Sequence, residues 1–367
     1  MLGPLAGFTV GITGDRRSEE QAELLARRGA HVVHGPVMRT TPLSDADATV
    51  RGTEAALSQP IDVVVLTTGI GTRSWFGVAE TVGLDEPLRT ACRSALVVAR
   101  GPKAWGAAGA NGLEVDWQAP GETSREVLAH LEDVGVAGKR VVVQRDGGGP
   151  MLAEAVAALG ADVVDVPVYQ WQRPDDEGPA VRLLDAAAAG RVHALTFTCA
   201  HAVRSSFELA PDPDALRLAL SGPVVALAVG PVTAGALRAH GVDEVVQPGR
   251  ARLGAMVQAL VRHLTLQHRT LRLADLEVRW QGDLLVQPDG TTTTLTAGER
   301  RVLHELLRRS PAVVAKRLLA EAGADEHAAE AAVGRLRTKL GALAPGIRTV
   351  PRRGYLCTLE VVAAPAA

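Results

Sequence analysis

Between Gly7 and Met38 the chain reads GFTVGITGDRRSEEQAELLARRGAHVVHGPVM. A short apolar stretch leads through a polar loop into apolar positions at helical spacing. A Gly-Ala step and a second Val-rich stretch follow, ending at a proline. The order returns at Gly138–Tyr169 as GKRVVVQRDGGGPMLAEAVAALGADVVDVPVY. Asp62–Phe76 (DVVVLTTGIGTRSWF) likewise parallels His193–Phe207 (HALTFTCAHAVRSSF), and Leu96–Ala104 (LVVARGPKA) parallels Val225–Ala234 (VALAVGPVTA). Strands that are apolar throughout are covered on both faces, and their alternation with amphipathic helices predicts parallel sheets. The first ~265 residues therefore read as two copies of one small α/β unit, repeated at an offset of about 130 residues.

From Leu276 the period changes. LEVRWQGDLLVQPDGTTTTLT predicts short alternating strands with a Pro288-Asp289-Gly290 turn. Thr296 and Glu299 have the spacing of a capping box and open the helix GERRVLHELLRR, with Pro311 just beyond its end. A short helix over 314–321, a turn containing Gly323 and a last helix over about Glu326–Leu340 follow. The i, i+3, i+7 spacing of Val333, Leu336 and Leu340 buries one face of that helix and leaves Arg335, Thr338 and Lys339 facing out. IRTVPRRGYLCT then reads as a β-hairpin with Arg352 and Arg353 at its tip. The connection Leu264–Arg272 has no Gly, Pro or Ser, which predicts a short, stiff link.

Composition narrows the picture. With 47% hydrophobic but only 3% aromatic residues, Ala, Val and Leu must build the core. No apolar run approaches the roughly 18 residues of a membrane span. The beginning, MLGPLAGFTVGITGDRR, lacks a basic n-region and an apolar signal core. Cys92, Cys199 and Cys357 are far apart and odd in number, which fits a reducing compartment, and the expected location is the cytoplasm with no membrane partner. The histidines form no HxxxH or HExxH pattern, so no metal is expected.

Charge is uneven. From Leu266 onward there are 15 Arg/Lys against 11 Asp/Glu, although the whole chain is formally at −2. Within Gly334–Leu359 stand six Arg or Lys and no acid. A helix with basic residues on its outer side, followed by a hairpin with a basic tip, is a shape that docks on double-stranded DNA. Upstream, the strand-to-helix loops TGDRR (Thr13–Arg17), TTGIGT (Thr67–Thr72), RGPK (Arg100–Lys103), RDGGGP (Arg145–Pro150), TCAHA (Thr198–Ala202) and GPVT (Gly230–Thr233) offer backbone N–H groups, hydroxyls and cations. That chemistry suits an anionic ligand. Neither GxGxxG nor GxxxxGK[ST] occurs.

The duplicated layout, Gly230-Pro231-Val232-Thr233-Ala234 and the VPVY crossover at Val166–Tyr169 resemble uroporphyrinogen-III synthase over roughly residues 7–265. That resemblance implies a two-domain parallel α/β body that closes and inverts one ring of a linear tetrapyrrole without a cofactor. It places domain one at 1–38 and 170–265 and domain two at 39–169, with crossings near Pro36 and Tyr169. Tyr169 and Thr233 match the family's hydroxyls that face the tetrapyrrole and would be the catalytic candidates. Arg16, Arg17, Thr68, Arg100, Lys103, Arg145, Cys199 and His201 join them as ligand-binding candidates. Thr68 and Cys199 stand where the family usually has Ser.

The stretches LTAGERRVLHELL, RLRTKLG and IRTVPRRGYL resemble the OmpR/PhoB-type winged helix, implying a DNA-binding domain over 266–367. Its recognition helix would be His327–Leu340 and its wing Ile347–Leu359. Arg335, Arg337, Thr338, Lys339, Arg348, Arg352, Arg353 and Tyr355 are the DNA candidates. The connection AGADEH before that helix is short. In the family the equivalent loop touches RNA polymerase, a further candidate partner beside another regulator, and pairing on DNA makes a homodimer the expected form there. The combination resembles actinobacterial regulators of nitrate and nitrite assimilation. The reading taken from the sequence is therefore a transcription regulator whose synthase-like body senses a ligand or binds a partner. The alternative is a bifunctional synthase with a DNA-binding tail.

Overall fold

The computed structural model describes residues 2–41, 43, 46–320 and 326–363. The chain divides into two compact units, residues 1–37 with 175–367, and residues 38–174. The first unit opens with β1 (Thr9–Ile12), α1 (Ser18–Ala26) and β2 (His31–His34). The chain then builds the whole second unit: β3 (Arg39–Thr41), α2 (Ala46–Leu57), β4 (Val63–Leu66), α3 (Gly69–Thr81), α4 (Asp85–Arg93), β5 (Leu96–Ala99), α5 (Pro102–Ala110), β6 (Trp117–Gln118), α6 (Ser124–Val134), β7 (Arg140–Arg145), α7 (Met151–Ala158), β8 (Asp162–Pro167) and β9 (Gln170–Gln172). It returns to finish the first with α8 (Gly178–Ala188), β10 (Ala194–Phe197), α9 (Ala200–Leu209), α10 (Pro213–Leu220), β11 (Val225–Ala228), α11 (Pro231–Ala239), β12 (Val245–Val246) and α12 (Leu253–Thr265).

Each unit holds a five-stranded parallel sheet, in the order β12-β11-β10-β1-β2 and β6-β5-β4-β7-β8. The internal duplication in the sequence is visible in the register. Val10 pairs with Ala194 and Val32 in one sheet, and Val141 pairs with Val63 and Val163 in the other. The continuously apolar strands are explained by burial on both faces. On β4, Val64 and Leu66 pack in a core with Trp75, Phe76 and Tyr169, while Val63 and Val65 face a separate core with Val127 and Leu131. In the other sheet, Val10 and Ile12 pack against Met256, Val257 and Leu260 of α12. The strands by which the chain enters and leaves the second unit, β3 and β9, pair antiparallel, Thr40 opposite Trp171.

Beyond α12 the architecture is different. β13 (Arg269–Leu273), β14 (Leu276–Gln281), β15 (Leu284–Val286) and β16 (Thr292–Thr294) are followed by α13 (Ala297–Arg309), β17 (Val313–Val314), α14 (Lys316–Leu319) and α15 (Glu326–Leu340). A 3-10 turn (Gly341–Gly346) leads to β18 (Ile347–Val350), β19 (Gly354–Cys357) and β20 (Glu360–Ala363). Antiparallel sheets in the orders β16-β15-β14-β13-β20 and β17-β19-β18 enclose a core of Leu271, Leu303, Leu306, Val333, Leu336, Leu340 and Ile347 with the helices. The helix expected over 314–321 is shorter: Val313 and Val314 pair with β19 instead, since β-branched residues fit a pleated edge. The expected link at 264–272 is consumed from both sides, by α12 up to Thr265 and by β13 from Arg269. The turn around Gly323 lies outside the described residues.

This C-terminal segment packs against the start of the chain. Asp283 donates its N–H to the Gly7 carbonyl at 2.8 Å, and the Gln281 amide donates to Gly3 and Ala6 carbonyls at 3.0 and 2.8 Å. Gly282 has φ +56°, and a Cβ there would stand 2.4 Å from the Gly7 oxygen, so only glycine admits this backbone approach. From α13, Arg300 reaches His193, Asp283 (2.5 Å) and the Gly190 carbonyl together. His193 precedes β10, so this contact lies at the amino end of the first sheet, opposite the loops that follow its strands. Among the described residues no helix is long and apolar enough to cross a membrane.

Candidate functional site

In the second unit the carboxyl ends of β4, β5 and β7 bring three loops together. Thr68 caps α3 from an extended conformation, accepting the Gly71 N–H at 3.1 Å. Beneath it lies Gln144, the buried penultimate residue of β7. Its amide nitrogen donates to the Thr67 and Thr68 hydroxyls (3.0 and 3.3 Å), and its carbonyl accepts from Thr72 (3.1 Å). A Cβ on Gly71 would meet the Gln144 nitrogen at 1.9 Å, so the glycines of TTGIGT make room for this network. Arg100, directly after β5, donates to Asp146 at 2.7 Å and to the Ser124 hydroxyl at 3.2 Å. The other Asp146 oxygen accepts the Gly148 N–H (2.9 Å), shaping the RDGGGP loop.

Tyr169 completes this cluster from the link between β8 and β9. It is 6% exposed, and its hydroxyl contacts the Thr68 side chain and the Gly147 backbone near Asp146 and Arg100. Burial pushes the Tyr169 hydroxyl up from its ordinary value, against the Thr68 and Gly147 contacts, so it stays protonated at neutral pH. Of the candidates in this unit, Thr68, Arg100 and Tyr169 converge. Lys103 is exposed on the first turn of α5. Arg145 donates to Asp165 on β8 at 2.7 Å, on the sheet face opposite Gln144 by strand alternation.

The first unit repeats the framework with different side chains. Cys199 occupies the position of Thr68 and caps α9, its sulfur accepting the Ala202 N–H at 3.4 Å. Thr13 stands where the other unit has Gln144 and is likewise buried, donating to the Thr196 carbonyl at 2.7 Å. Thr233 is 4% exposed on the first turn of α11. Arg16 is exposed. Arg17, at φ 56°, is an exposed cap of α1 paired with Glu20 at 2.6 Å. His201 is half-buried in the first turn of α9. Val229 follows β11 where Arg100 follows β5, so the first unit has no cation at that place.

In the C-terminal segment the basic residues fall into two groups. Arg348, Arg352 and Arg353 are exposed on the β18–β19 hairpin, and no described residue pairs with them. Arg352 has φ 62° at the tip. The other residues expected to meet DNA make contacts within the fold. Lys339 was expected to face out. It instead donates to Glu299 (2.6 Å) and to the Thr294 carbonyl (2.8 Å). Arg335 is largely exposed, yet its Nε also reaches Glu299 at 3.2 Å. The physical reason is that Glu299, the capping-box residue of α13, is fully buried, and a buried carboxylate requires counter-charges. Although burial pushes it up, hydrogen bonds from Lys339 and Thr296 hold its carboxyl below the usual range. Arg337 ties α15 to the hairpin by donating to the Ile347 carbonyl (2.8 Å) and Thr349 (3.0 Å), with its guanidinium 5.5 Å from the Tyr355 ring. Tyr355 itself is only 5% exposed, and Thr338 bonds back to the Gly334 carbonyl.

With this geometry in view, the sequence profile of the family uroporphyrinogen-III synthase HemD matches residues 19–258. The chain belongs to the uroporphyrinogen-III synthase family. Uroporphyrinogen III synthase of Thermus thermophilus, solved as a triple mutant, is 33% identical and superposes with a TM-score of 0.61, over 71% of this chain and 99% of that one. A putative uroporphyrinogen-III synthase of Methanothermobacter thermautotrophicus is 28% identical over 66% of this chain and 93% of its own length. The uncharacterized protein YjjA of Bacillus subtilis is 30% identical over 71% and 97%. The synthase profile ends at residue 258, before β13.

Sequence reasoning missed Gln144, Asp146, His193 and Arg300, and the counter-charges that Glu299 draws from Lys339 and Arg335. A polar residue inside an apolar strand, as in RVVVQR, was the available signal for Gln144. The partners of the others come from distant parts of the chain.

Proposed function

We propose that this protein is a uroporphyrinogen-III synthase that closes and inverts a ring of hydroxymethylbilane, joined to a winged-helix domain that binds double-stranded DNA. The observation that carries the first half is the convergence of Tyr169, Thr68 and Arg100 on one set of strand ends in a member of the synthase family. Ring closure expels the terminal hydroxyl of the linear tetrapyrrole as water. A buried, protonated phenol is suited to hydrogen-bond that leaving oxygen, while Arg100 holds a substrate carboxylate. The reaction needs no cofactor.

The second half is supported by the order of elements from β13: a four-stranded antiparallel start, three helices, and a hairpin whose three arginine side chains have no partner among the described residues. In it α15 enters the major groove, presenting Arg335 and Thr338, and the hairpin lies along the phosphates.

The test is a cyclase assay on freshly generated hydroxymethylbilane with the products resolved into isomers. Isomer III above the spontaneous background is expected. Isomer I alone would instead favour a second reading, a transcription regulator that uses the synthase-like body as a sensor. One observation favours that reading: the thiol of Cys199 stands as a cap where Thr68 has a hydroxyl, a weaker hydrogen-bonding group at a position proposed to face the substrate.

A further inference from the structure

The Arg100–Asp146 pair poses a problem for a ligand-binding arginine, because its guanidinium already holds a carboxylate. Both side chains are about one-fifth exposed, so the pair is neither a solvated surface bridge nor a sealed core contact. It lies among the strand-end loops, close enough to Tyr169 for both charges to act on its hydroxyl. Asp146 is also anchored: Oδ1 accepts the Gly148 N–H at 2.9 Å while Oδ2 accepts from Arg100 at 2.7 Å. Its carboxylate is therefore held in place whether or not Arg100 stays with it. The same Arg100 nitrogen also donates to the Ser124 hydroxyl at 3.2 Å, a neutral partner.

We propose that Asp146 is a specificity-determining residue: an internal competitor that occupies Arg100 until a ligand carrying several carboxylates displaces it. The inference rests on the reading of this cluster as an anion site. A tethered carboxylate competes at an effective concentration on the order of millimolar or more, so a ligand attached by one carboxylate alone loses to it. A ligand whose other carboxylates are engaged elsewhere presents its own at a comparable effective concentration and wins. Asp146 thus raises the number of carboxylates required for binding, and it keeps Arg100 oriented in the meantime. The other unit lacks an arginine at the matching position, with Val229 there, so this filter belongs to one unit alone.

Asp146→Asn is the decisive variant, because asparagine retains an oxygen for the Gly148 N–H and removes only the competing charge. Binding to the full-length protein is measured with mellitate, a six-carboxylate probe unrelated to tetrapyrroles, with benzoate, and with uroporphyrin, which carries eight carboxylates. Asp146→Asn is expected to bind mellitate and uroporphyrin about tenfold more tightly than wild type. The preference for mellitate over benzoate should narrow, and Arg100→Gln should abolish the gain in the double variant. Unchanged or weaker binding of mellitate in a folded Asp146→Asn overturns the proposal, as does a gain that survives Arg100→Gln. A gain with mellitate but no uroporphyrin binding by any form would leave the filter standing and sink the tetrapyrrole reading. No polycarboxylate binding by any form would overturn both. Thermal unfolding of Arg100→Gln and Asp146→Asn separates these outcomes from loss of fold.

Discussion

Acidification should loosen the first unit through His193. The ring lies between β1 and the C-terminal segment: Nδ1 accepts the Thr9 N–H at 2.9 Å, and the Nε2 edge faces Asp283 at 3.6 Å with Arg300 beside it. A second ring proton would stand against the Thr9 N–H and add positive charge next to a guanidinium. Burial, with Arg300 adding to it, pushes the imidazole down from 6.5 to about 3. Above pH 6.5 the ring is neutral in both the folded and unfolded chain and contributes no pH dependence. Below it the unfolded chain takes up a proton that the folded one refuses, so stability falls by about 1.4 kcal/mol per pH unit. The loss amounts to about 2 kcal/mol at pH 5 and levels off near pH 3. Asp283 works in the opposite direction, its carboxyl raised by burial despite Arg300, so it gains a proton more readily when folded. Asp283, like the half-buried His263 and His268, is present in both wild type and His193→Gln, so the difference between the two proteins isolates His193. The assay is urea unfolding across that interval for wild type and for His193→Gln, which cannot titrate. Wild type should lose stability relative to the variant as pH falls. Parallel curves, with a constant offset from pH 7 to 5, would refute the reasoning.

Four further outcomes follow from the same geometry. Tyr169→Phe should lower formation of isomer III by roughly a hundredfold with little change in melting, as expected on loss of an acid that acts on the leaving group; unchanged isomer ratios would remove Tyr169 from the chemistry. Gly71→Ala drives a methyl into Gln144 and should cost about 1–3 kcal/mol, read as a lowered melting temperature. Cys199→Ser replaces a thiol cap by a hydroxyl and should stabilise by about 0.5–1 kcal/mol in denaturant titrations. Arg352→Ala should weaken binding to DNA of any sequence and reduce the slope of log K against log salt by about one; an unaltered slope would exclude the hairpin tip from phosphate contact.

The parallel sheets were legible because a strand buried on both faces must be apolar throughout, and VVVL, LVVA and VALA can be little else beside amphipathic helices. The duplication reappears in the structure as one pairing order used twice. The T-x-x-E capping box at Thr296 was equally readable, being a purely local rule. The side-chain partners were not. Lys339 looks like a surface cation until Glu299, 40 residues earlier, is found buried beneath it. Arg300 could not be recognised as a docking residue, because Gly190 and His193 lie more than a hundred positions away. Arg100 was visible as a cation on a loop, but the aspartate that restrains it was masked by the glycines that follow. Helical periodicity also placed 314–321 in one helix, where pairing with the hairpin overrode it for the first residue.

The insertion of one unit within the other has a consequence for synthesis. Residues 38–174 form a continuous stretch and contain every strand of their own sheet. Strand β1, by contrast, emerges first but waits for its neighbour β10: Thr9 and His193 are 184 positions apart. At ordinary elongation rates of about 5–20 residues per second that interval is roughly ten to forty seconds. During it an apolar strand has only β2 beside it, while the later-made unit can already close. The order of birth is thus the reverse of the order of completion, and the nascent chain must keep its first strand from misassembling until the growing polypeptide comes back to claim it.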